Sequence, residues 1–361
     1  MKILMLGEAL SRKGGIVSVQ QLILEQADST VKIEHIATLV DGSPAKKLLA
    51  FFKSLFDLSS KLLLGKIDLV HIHVSERGSA FRQSVTTLVS KLFGKPVVMH
   101  THGSEFHEFY SHLPIFLRVF LGWTYRQCDR FIVLSESWKR FYVEALKLKE
   151  QNVSVLPNAV RIPDQIPRRI GGRDNEVLFV FFGRIGQRKG AFDLVQSLLH
   201  LPACDRTRLR LVMAGDGETE KLRELVLELG LDHIVIVRDW VSPQEREALS
   251  REASVFILPS YNEGLPMALL EAMSWGLAII TTPVGGIPGL IKHKENGILV
   301  EPGDIYQIAD AIRSLLENNA LRTSLGQAAR ESVLPFGADS YWKALTNIYS
   351  STATQRTATK R

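Results

Sequence analysis

Short β-branched, apolar runs alternate with helix-forming segments along almost the whole of this chain, in two series of six. In the first half the predicted strands are Lys2–Leu6, Val31–Ile36, Leu69–His73, Val97–Thr101, Arg130–Leu134 and Val153–Leu156. In the second half they are Val177–Phe182, Arg210–Ala214, Ile234–Val237, Val255–Leu258, Ala278–Thr281 and Gly297–Val300. Strands that alternate with helices are typical of parallel sheets. The sequence therefore predicts an α/β fold with two doubly wound, Rossmann-like domains.

The chain is long enough for two hydrophobic cores, since 361 residues exceed the usual size of one domain. The segment Pro157–Asn175 is punctuated by proline and glycine, including Pro163, Pro167, Gly171 and Gly172, and is predicted to be the linker. We expect an N-terminal domain at 1–165 and a second domain at 166–335. Residues 336–361 are expected to form a helix that crosses back to the N-terminal domain, followed by a frayed tail.

The net positive charge of the chain comes entirely from the first half. Residues 1–165 carry 21 Lys and Arg against 15 Asp and Glu, a net of +6, whereas 166–361 carry 23 of each. The first half is therefore the candidate for an anionic surface, although no nucleic-acid-binding motif accompanies the charge. Two isolated cysteines, a short N-terminal apolar run and the lack of any long uncharged segment favour a cytoplasmic protein, attached to a membrane at most peripherally.

Two glutamates, Glu263 and Glu271, flank a Gly-Leu-Pro turn. Pro266 suits a first helical residue, because its missing N–H costs nothing there. Glu271 would then lie about one and a half turns inside the helix, with Glu263 just outside its N-terminus. The unpaired amides at that terminus suit an anion such as a diphosphate. Two acidic acceptors beside a phosphate cradle fit a ligand with hydroxyl groups at both ends, and a nucleotide sugar has that shape.

Other polar and glycine-rich segments also follow predicted strands. These are Gly14-Gly15, His102-Gly103, Gly183–Gly190 and Gly215–Gly217. Ligands of open α/β sheets bind at the carboxyl ends of the strands. The sequence therefore predicts that these loops line a cleft between the two domains.

In their order and spacing these segments resemble the GT-B-fold glycosyltransferases of the large retaining group called family 4, or glycosyl transferases group 1. The resemblance covers nearly the whole chain. It includes Pro157-Asn158, Gly183-Arg184-x-x-x-x-Lys189-Gly190, Gly215-x-Gly217, Pro259-Ser260, the Glu263-to-Glu271 motif and Gly285-Gly286-Ile-Pro288.

The resemblance implies a role for each matching residue. It implies that the catalytic residues are His102, Arg184, Lys189 and Glu263. It implies that the donor-binding residues are Gly15, Gly183, Gly215, Gly264, Leu265 and Glu271. It also implies a UDP-sugar or GDP-sugar donor, retention of anomeric configuration, no cofactor and no metal, and the chain has no Asp-x-Asp motif for one. A front-face substitution, in which the departing phosphate helps to deprotonate the acceptor, needs no separate general base.

Each assignment has a plainer alternative. Glu271 could be a solvated helical glutamate, but its apolar neighbours argue against that. Arg184 and Lys189 could belong to a basic surface loop, yet two cations there would stabilise charge on a leaving diphosphate. Gly15 could lie in a flexible turn, and only the resemblance favours a phosphate contact.

Two groups of histidines could suggest a metal site, namely His71-x-His73 and the set of His100, His102 and His107. Alternation points the rings of one strand to the same face, which is compatible with such a site. The context resembles the glycosyltransferase pattern more closely, so His102 is assigned to the donor sugar. His71, His73 and His100 are interpreted as strand-end packing or acceptor-side residues.

Residues 44–66 predict a basic amphipathic helix, with lysines such as Lys46 and Lys53 on one side and residues such as Phe52 and Phe56 on the other. Such a helix can lie on an anionic membrane. The favoured alternative is that its apolar face packs on the N-terminal sheet. With the apolar segment Phe109–Trp123, it suggests a lipid-linked acceptor rather than a small soluble one.

Taken together, the patterns predict transfer of a hexose-type sugar from a nucleotide diphosphate-sugar to a lipid-linked or saccharide acceptor, in polysaccharide, lipopolysaccharide or glycolipid synthesis. The alternatives are a catalytically silent scaffold subunit and another GT-B enzyme such as an epimerase. A phosphorylase would need a cofactor lysine that has no candidate in this sequence.

Overall fold

The computed structural model describes residues 1–167 and 176–359, with side chains to residue 354. Its contacts divide the chain into two compact units. Unit 1 comprises Met1–Ala159 and Ala338–Arg361, and unit 2 comprises Val160–Gly337. The first division, after Ala159, lies six residues before the predicted limit at 165, and the second, after Gly337, lies two residues after the predicted limit at 335. Part of the predicted linker, including Gly171 and Gly172, lies outside the described residues.

Unit 1 is built on a six-stranded parallel sheet with the order β2-β1-β3-β4-β5-β6. Its strands are β1 (Lys2–Glu8), β2 (Lys32–Leu39), β3 (Leu69–Val74), β4 (Val97–Thr101), β5 (Arg130–Val133) and β6 (Val153–Val155). Its helices are α1 (Gly15–Gln26), α2 (Pro44–Leu64), α3 (Gly78–Leu92), α4 (Phe106–His112), α5 (Ile115–Tyr125), α6 (Glu136–Leu146) and, numbered by chain position, α14 (Ala338–Thr359). The chain winds outward from β1 to β2 and then, from β3, in the opposite direction.

The central strands of unit 1 are covered on both faces. All residues of β3 and β4 are buried, which explains why their sequences are continuous apolar runs broken only by histidine and threonine. The C-terminal helix α14 packs against α1, and its Tyr349 side chain is fully buried and hydrogen-bonded to His71. The last helix of the chain is thus part of the core of unit 1.

Unit 2 contains a second six-stranded parallel sheet, with the order β12-β11-β10-β7-β8-β9. Its strands are β7 (Val177–Phe182), β8 (Leu209–Ala214), β9 (Val235–Arg238), β10 (Val255–Leu258), β11 (Ala278–Thr281) and β12 (Ile298–Leu299). Its helices are α7 (Ala191–Ser197), α8 (Ala203–Arg206), α9 (Thr219–Glu228), α10 (Pro243–Glu252), α11 (Met267–Ser274), α12 (Ile305–Glu317) and α13 (Asn319–Val333).

The winding of unit 2 reverses between β7 and β10. From β7 the chain adds β8 and β9 on one side, and from β10 it adds β11 and β12 on the other. The loops at the carboxyl ends of two such strands diverge, which opens a crevice where ligands of doubly wound sheets bind. The loops after β7 and β10 are therefore the first place to look for a site in unit 2.

Helix α2 agrees only in part with the expectation that its apolar face packs on the sheet. It lies against β2 and α3, but it buries only Ser54, Leu58 and Leu62. Its exposed large apolar side chains are Leu48, Leu49, Phe52, Phe56, Leu63 and Leu64. Four of the eight residues of the predicted apolar face, Leu48, Phe52, Phe56 and Leu63, are therefore exposed to solvent.

Among the described residues, no helix combines the length and apolar character that crossing a bilayer requires.

Candidate functional site

A buried ion pair joins the loops at the switch point of unit 2. Lys189 follows β7 and Glu263 follows β10, and the Lys189 Nζ lies 2.5 Å from the Glu263 Oε1. Their side chains are only 13% and 5% exposed. The Ser260 hydroxyl donates a second hydrogen bond, of 2.7 Å, to the same oxygen. Burial lowers the pKa of Lys189, while the Glu263 carboxylate raises it and thus opposes that effect.

Glycine is required where the loop after β11 meets the Glu263 loop. Gly285 has φ of 59°, and a Cβ atom there would lie 1.8 Å from the carbonyl oxygen of Glu263. The Gly286 N–H donates a 2.7 Å hydrogen bond to the carbonyl of Gly264. Gly264 and Leu265, two predicted donor-binding residues, are both buried in this contact region. The backbone of residues 263–265 is therefore fixed by direct contact and a hydrogen bond with the backbone of residues 285–286.

A similar close contact joins the loops after β7 and β8. A Cβ on Gly215 would lie 1.7 Å from the carbonyl oxygen of Gly183, so only glycine permits this approach. The structure thus places these two predicted residues together. Arg184 follows Gly183, but its side chain is 69% exposed and lies 3.9 Å from an Asp216 carboxylate oxygen. Arg184 therefore does not share the buried environment of Lys189.

Helix α11 begins one residue later than predicted. Pro266 has φ of −70° and ψ of 128°, and its carbonyl accepts the first helical hydrogen bonds, from Leu269 and Leu270. Pro266 is therefore the N-cap residue of α11 and does not belong to its first turn. Glu271 lies about one turn inside α11, and Glu263 precedes the helix as expected.

Glu271 has a cationic partner that the sequence did not reveal. Arg246, in α10, lies 3.1 Å from a Glu271 carboxylate oxygen, and the two side chains are 21% and 24% exposed. Burial raises the pKa of Glu271, whereas Arg246 and Arg161 lower it. Arg246 stands in a strongly polar helix, so its sequence context resembles that of an ordinary surface arginine.

The two remaining predicted residues belong to unit 1. Gly15 is the first residue of α1, and Gly14 before it has φ of 140°. His102 directly follows β4, and its Nε2 lies 2.9 Å from Nδ1 of His73. Burial lowers the pKa of His102 to about 3, so its imidazole is neutral at physiological pH. Gly15 and His102 thus follow the two strands β1 and β4 of that sheet.

The architecture is that of a GT-B glycosyltransferase, as predicted. It superposes on the structure of the Anabaena protein HepE in complex with UDP-glucose with a TM-score of 0.75 and 18% sequence identity, over 97% of this chain and 100% of that one. Sucrose-phosphate synthase from Thermosynechococcus elongatus gives a TM-score of 0.79 at 18% identity, over 97% and 98% of the two chains. At these identities the likeness concerns the fold.

Sequence comparison identifies the family. Residues 3–162 match the model of Glycosyltransferase Family 4, and residues 164–332 match that of Glycosyl transferases group 1. The chain therefore belongs to the family 4, or group 1, glycosyltransferases, which confirms the predicted family. It is 25% identical over 320 residues to a UDP-Gal:alpha-D-GlcNAc-diphosphoundecaprenol alpha-1,3-galactosyltransferase of Escherichia coli, covering 83% of this chain and 78% of that protein.

Other curated relatives are matched over a smaller part of their length. An uncharacterized glycosyltransferase of Methanocaldococcus jannaschii is 28% identical over 239 residues, which is 63% of this chain and 60% of that protein. A D-inositol 3-phosphate glycosyltransferase of Corynebacterium aurimucosum is 28% identical over 54% of this chain and 48% of its own. The chain thus spans about half the length of several curated relatives.

Proposed function

We propose that this protein transfers a hexose-type sugar from a nucleotide diphosphate-sugar, with retention of configuration and without a metal at the donor site, to an acceptor hydroxyl. The observation that carries the proposal is the buried Lys189–Glu263 pair at the switch point of the unit 2 sheet. It combines a cation for a diphosphate with a carboxylate for sugar hydroxyls, in the place where doubly wound sheets bind nucleotides.

The Lys189 ammonium group can bind the Glu263 carboxylate and the donor diphosphate at the same time. An ammonium group has three N–H donors, and the pair with Glu263 uses one of them. The others can stabilise negative charge on the diphosphate as the sugar–phosphate bond breaks. The exposed Arg184 side chain is long enough to add a second cation. The N-terminus of α11 supplies backbone amides of the kind that anions prefer.

Glu263 and Glu271 are proposed to bind the two ends of the donor. Within the described part of the chain, both hydrogen bonds to the Glu263 carboxylate end on Oε1, which leaves Oε2 for a hydroxyl of the sugar. Glu271 accepts hydroxyls of the ribose, and Arg246 opposes the effect of burial, which raises the pKa of Glu271. Gly183, Gly215, Gly264 and Leu265 are proposed to shape the backbone around the diphosphate, and Gly15 and His102 keep the donor-contact roles that the family resemblance implies.

The donor is proposed to be a UDP-sugar or a GDP-sugar. Support for UDP comes from the HepE structures, which contain UDP or UDP-glucose, and from the UDP-Gal named for the Escherichia coli relative. We propose no cofactor, and no general base other than the departing phosphate. A scaffold subunit would need no buried Lys–Glu pair, which burial makes costly to keep.

The acceptor is proposed to be lipid-linked and presented at an anionic membrane surface, in polysaccharide, lipopolysaccharide or glycolipid synthesis. The Escherichia coli relative is named for a diphosphoundecaprenol acceptor. The exposed apolar residues Leu49, Phe52, Phe56 and Leu63 of α2 follow one another at helical spacing, so they share one face. Exposed lysines such as Lys53 accompany them, a combination that favours anionic headgroups.

The donor assignment is tested by incubating the purified chain with UDP-, GDP- and ADP-sugars, without added Mg²⁺ or Mn²⁺. Thermal protection and donor hydrolysis are measured, and the anomeric configuration of the transferred sugar is read by NMR. Glu271→Ala should lose protection by the nucleotide, whereas the exposed Glu252→Ala in α10 should keep it. Full protection and turnover in Glu271→Ala would refute the donor site. Binding without any turnover across acceptors would favour a scaffold, and sugar conversion without an acceptor would favour an epimerase.

The membrane assignment is tested by sedimentation with vesicles that contain phosphatidylglycerol. Phe52→Ser with Phe56→Ser should abolish co-sedimentation, because both rings are exposed. Leu227→Ser, which changes an exposed leucine of α9, is the control. An unmodified chain that stays in the supernatant at low salt would refute the membrane surface and leave the donor site intact.

A further inference from the structure

Unit 1 contains a cluster of imidazole rings beneath its C-terminal helix. His71 and His73 lie on β3, and His100 lies on β4, where it is the Cα partner of His73. Their exposed fractions are 0%, 2% and 0%. Alternate residues of a strand point to the same face, and Tyr349 of α14 covers that face by its contact with His71. Three rings that could each bind a proton or a metal are thus removed from water.

The hydrogen bonds of the cluster follow a common pattern. His71 Nδ1 lies 2.8 Å from the Tyr349 hydroxyl, and His73 Nδ1 lies 2.9 Å from His102 Nε2. The Nε2 atoms of His71 and His73, and both ring nitrogens of His100, are buried and have no hydrogen-bond partner among residues 1–167 and 176–354. A buried polar atom without a partner costs about 1–3 kcal/mol, so such atoms are rare unless a ligand satisfies them.

The three rings bring their nitrogens close together. One ligand nitrogen from each of His71, His73 and His100 lies within 4.8 Å of the others. Tetrahedral Zn²⁺ with bonds of about 2.0–2.1 Å needs nitrogens about 3.4 Å apart. Even from the 4.8 Å limit, each nitrogen would have to move only about 0.8 Å toward the common centre. Side-chain rotations within one rotamer well supply such movements.

We propose that His71, His73 and His100 form a binding site for a late first-row divalent metal ion, with Zn²⁺ as the natural occupant. The site adjoins His102, a proposed donor contact, but none of its ligands is a proposed donor-binding residue, and it does not depend on the transferase assignment. It replaces the interpretation of these three histidines as packing residues.

The protonation state of the rings suits metal binding. Burial lowers the pKa of His71 to about 3 and holds the pKa of His73 and His100 well below the ordinary value for histidine. All three are therefore neutral at physiological pH, so the metal does not have to compete with protons. Three neutral imidazoles are a frequent ligand set for Zn²⁺, with a water or small anion in the fourth position.

The Nδ1 atoms of His71 and His73 have hydrogen-bond partners of the kind that surround the ligands of known metal sites. A ligating histidine donates its second N–H to a neighbouring acceptor, which fixes the tautomer and the orientation of the ring. With a metal ion on Nε2, each Nδ1 would carry the proton, so that His71 would donate to the Tyr349 hydroxyl and His73 would donate to His102 Nε2. The metal therefore links the C-terminal helix to the sheet, and it holds His102 through His73 in a single tautomer. His102 is a positioning target of the site, not a ligand.

Ring stacking alone accounts for only part of the arrangement. The rings of His71 and His100 stack with centroids 5.5 Å apart, and those of His100 and His102 lie 4.3 Å apart. Stacking satisfies the ring faces but offers no acceptor to an N–H and no donor to a lone pair in the ring plane. The in-plane nitrogens still need a partner.

The experiment uses the untagged full-length chain, because a histidine tag would bind metal itself. Since the rings are buried, the protein is expressed in medium with added Zn²⁺, and its metal content is measured after gel filtration. We expect close to one Zn²⁺ per chain. Expression with Co²⁺ should give the intense visible absorption of a four-coordinate ion, and chelator treatment should lower the Tm of the protein.

His100→Asn should lose both the bound metal and the Co²⁺ spectrum, while His112→Asn, an exposed histidine of α4, should retain them. An unmodified chain with no bound Zn²⁺ and no four-coordinate Co²⁺ spectrum would overturn the proposal, whether or not His100→Asn folds. Retention of the metal and spectrum by a folded His100→Asn variant would overturn it as well. Donor hydrolysis is measured separately, and its absence leaves the metal result unaffected.

Discussion

Replacing Lys189 by methionine isolates the energetics of the buried pair. Methionine has a similar length and no charge, so Lys189→Met leaves the Glu263 carboxylate 5% exposed without its cation. Removing one partner of a buried ion pair costs about 3–5 kcal/mol, because the other charge remains uncompensated. The Ser260 hydroxyl still donates to Oε1, so we expect the lower end of this range, about 3 kcal/mol.

The loss of free energy translates into a measurable change of Tm. Unit 2 runs from Val160 to Gly337, and in a domain of that size 1 kcal/mol shifts the Tm by about 2–4 °C. Differential scanning calorimetry of the full chain should therefore show the unit 2 transition lowered by about 6–12 °C in Lys189→Met. Lys189→Met combined with Glu263→Leu should recover part of this loss, since no charge is then left buried.

A surface pair of the same type provides the control. Lys221 and Glu218 form a 2.7 Å ion pair whose side chains are 71% and 44% exposed. Because water already solvates both groups, Lys221→Met should leave the Tm almost unchanged. Equal Tm values for Lys189→Met and Lys221→Met would show that the buried pair carries no special cost, and the reasoning would be refuted.

Two further predictions concern the same region of unit 2. Gly285→Ala should lower the Tm by more than Gly94→Ala and should also reduce donor hydrolysis, because both glycines have positive φ but only Gly285 would drive a Cβ into the Glu263 carbonyl. Nucleotide affinity, measured by calorimetric titration between pH 4 and 8, should fall on acidification at a higher pH than an ordinary glutamate would give, because burial raises the pKa of Glu271 and the ionised form binds hydroxyls. Arg246→Met removes a cation that lowers this pKa, so the loss of affinity on acidification should occur at a still higher pH. Arg251→Met, on the same helix, should leave the pH of this loss unchanged. An unchanged pH dependence in Arg246→Met would show that the Arg246–Glu271 pair does not contribute to nucleotide binding.

The strands of this protein could be predicted where burial is complete and not where it is partial. Val177–Phe182, Val255–Leu258 and Ala278–Thr281 agree with the structure residue for residue, since each is almost entirely buried and consists almost entirely of apolar residues. Strand β2 was predicted to end at Ile36 but continues to Leu39. It is an edge strand of mixed exposure, and its pairing with β1 passes through an irregularity at Gly7 and Glu8.

The sequence predicts which residues belong to the candidate site, but not which of them are in contact with one another. Lys189 and Glu263 are 74 residues apart, and their contact follows from the placement of β10 beside β7. Alternation of strands and helices does not determine that order, so no sequence pattern could distinguish Lys189, which meets Glu263, from Arg184, which remains exposed beside Asp216. Only the resemblance grouped the two cations together.

The arrangement of the loops explains how a buried charge pair can persist at the switch point. The backbone of Gly285 contacts the Glu263 carbonyl closely. Lys189 precedes Gly190, where a Cβ atom would lie 2.1 Å from the carbonyl oxygen of Pro259, in the same loop as Glu263. The backbones of three loops are therefore in contact at positions that exclude side chains, and the two charges cannot separate without breaking those contacts. Rigid placement lowers the reorganisation needed when a charged ligand arrives. A site built in this way accepts a loss of stability in the free protein, and we expect Gly190→Ala and Gly285→Ala to disturb the placement of Glu263 as Lys189→Met does.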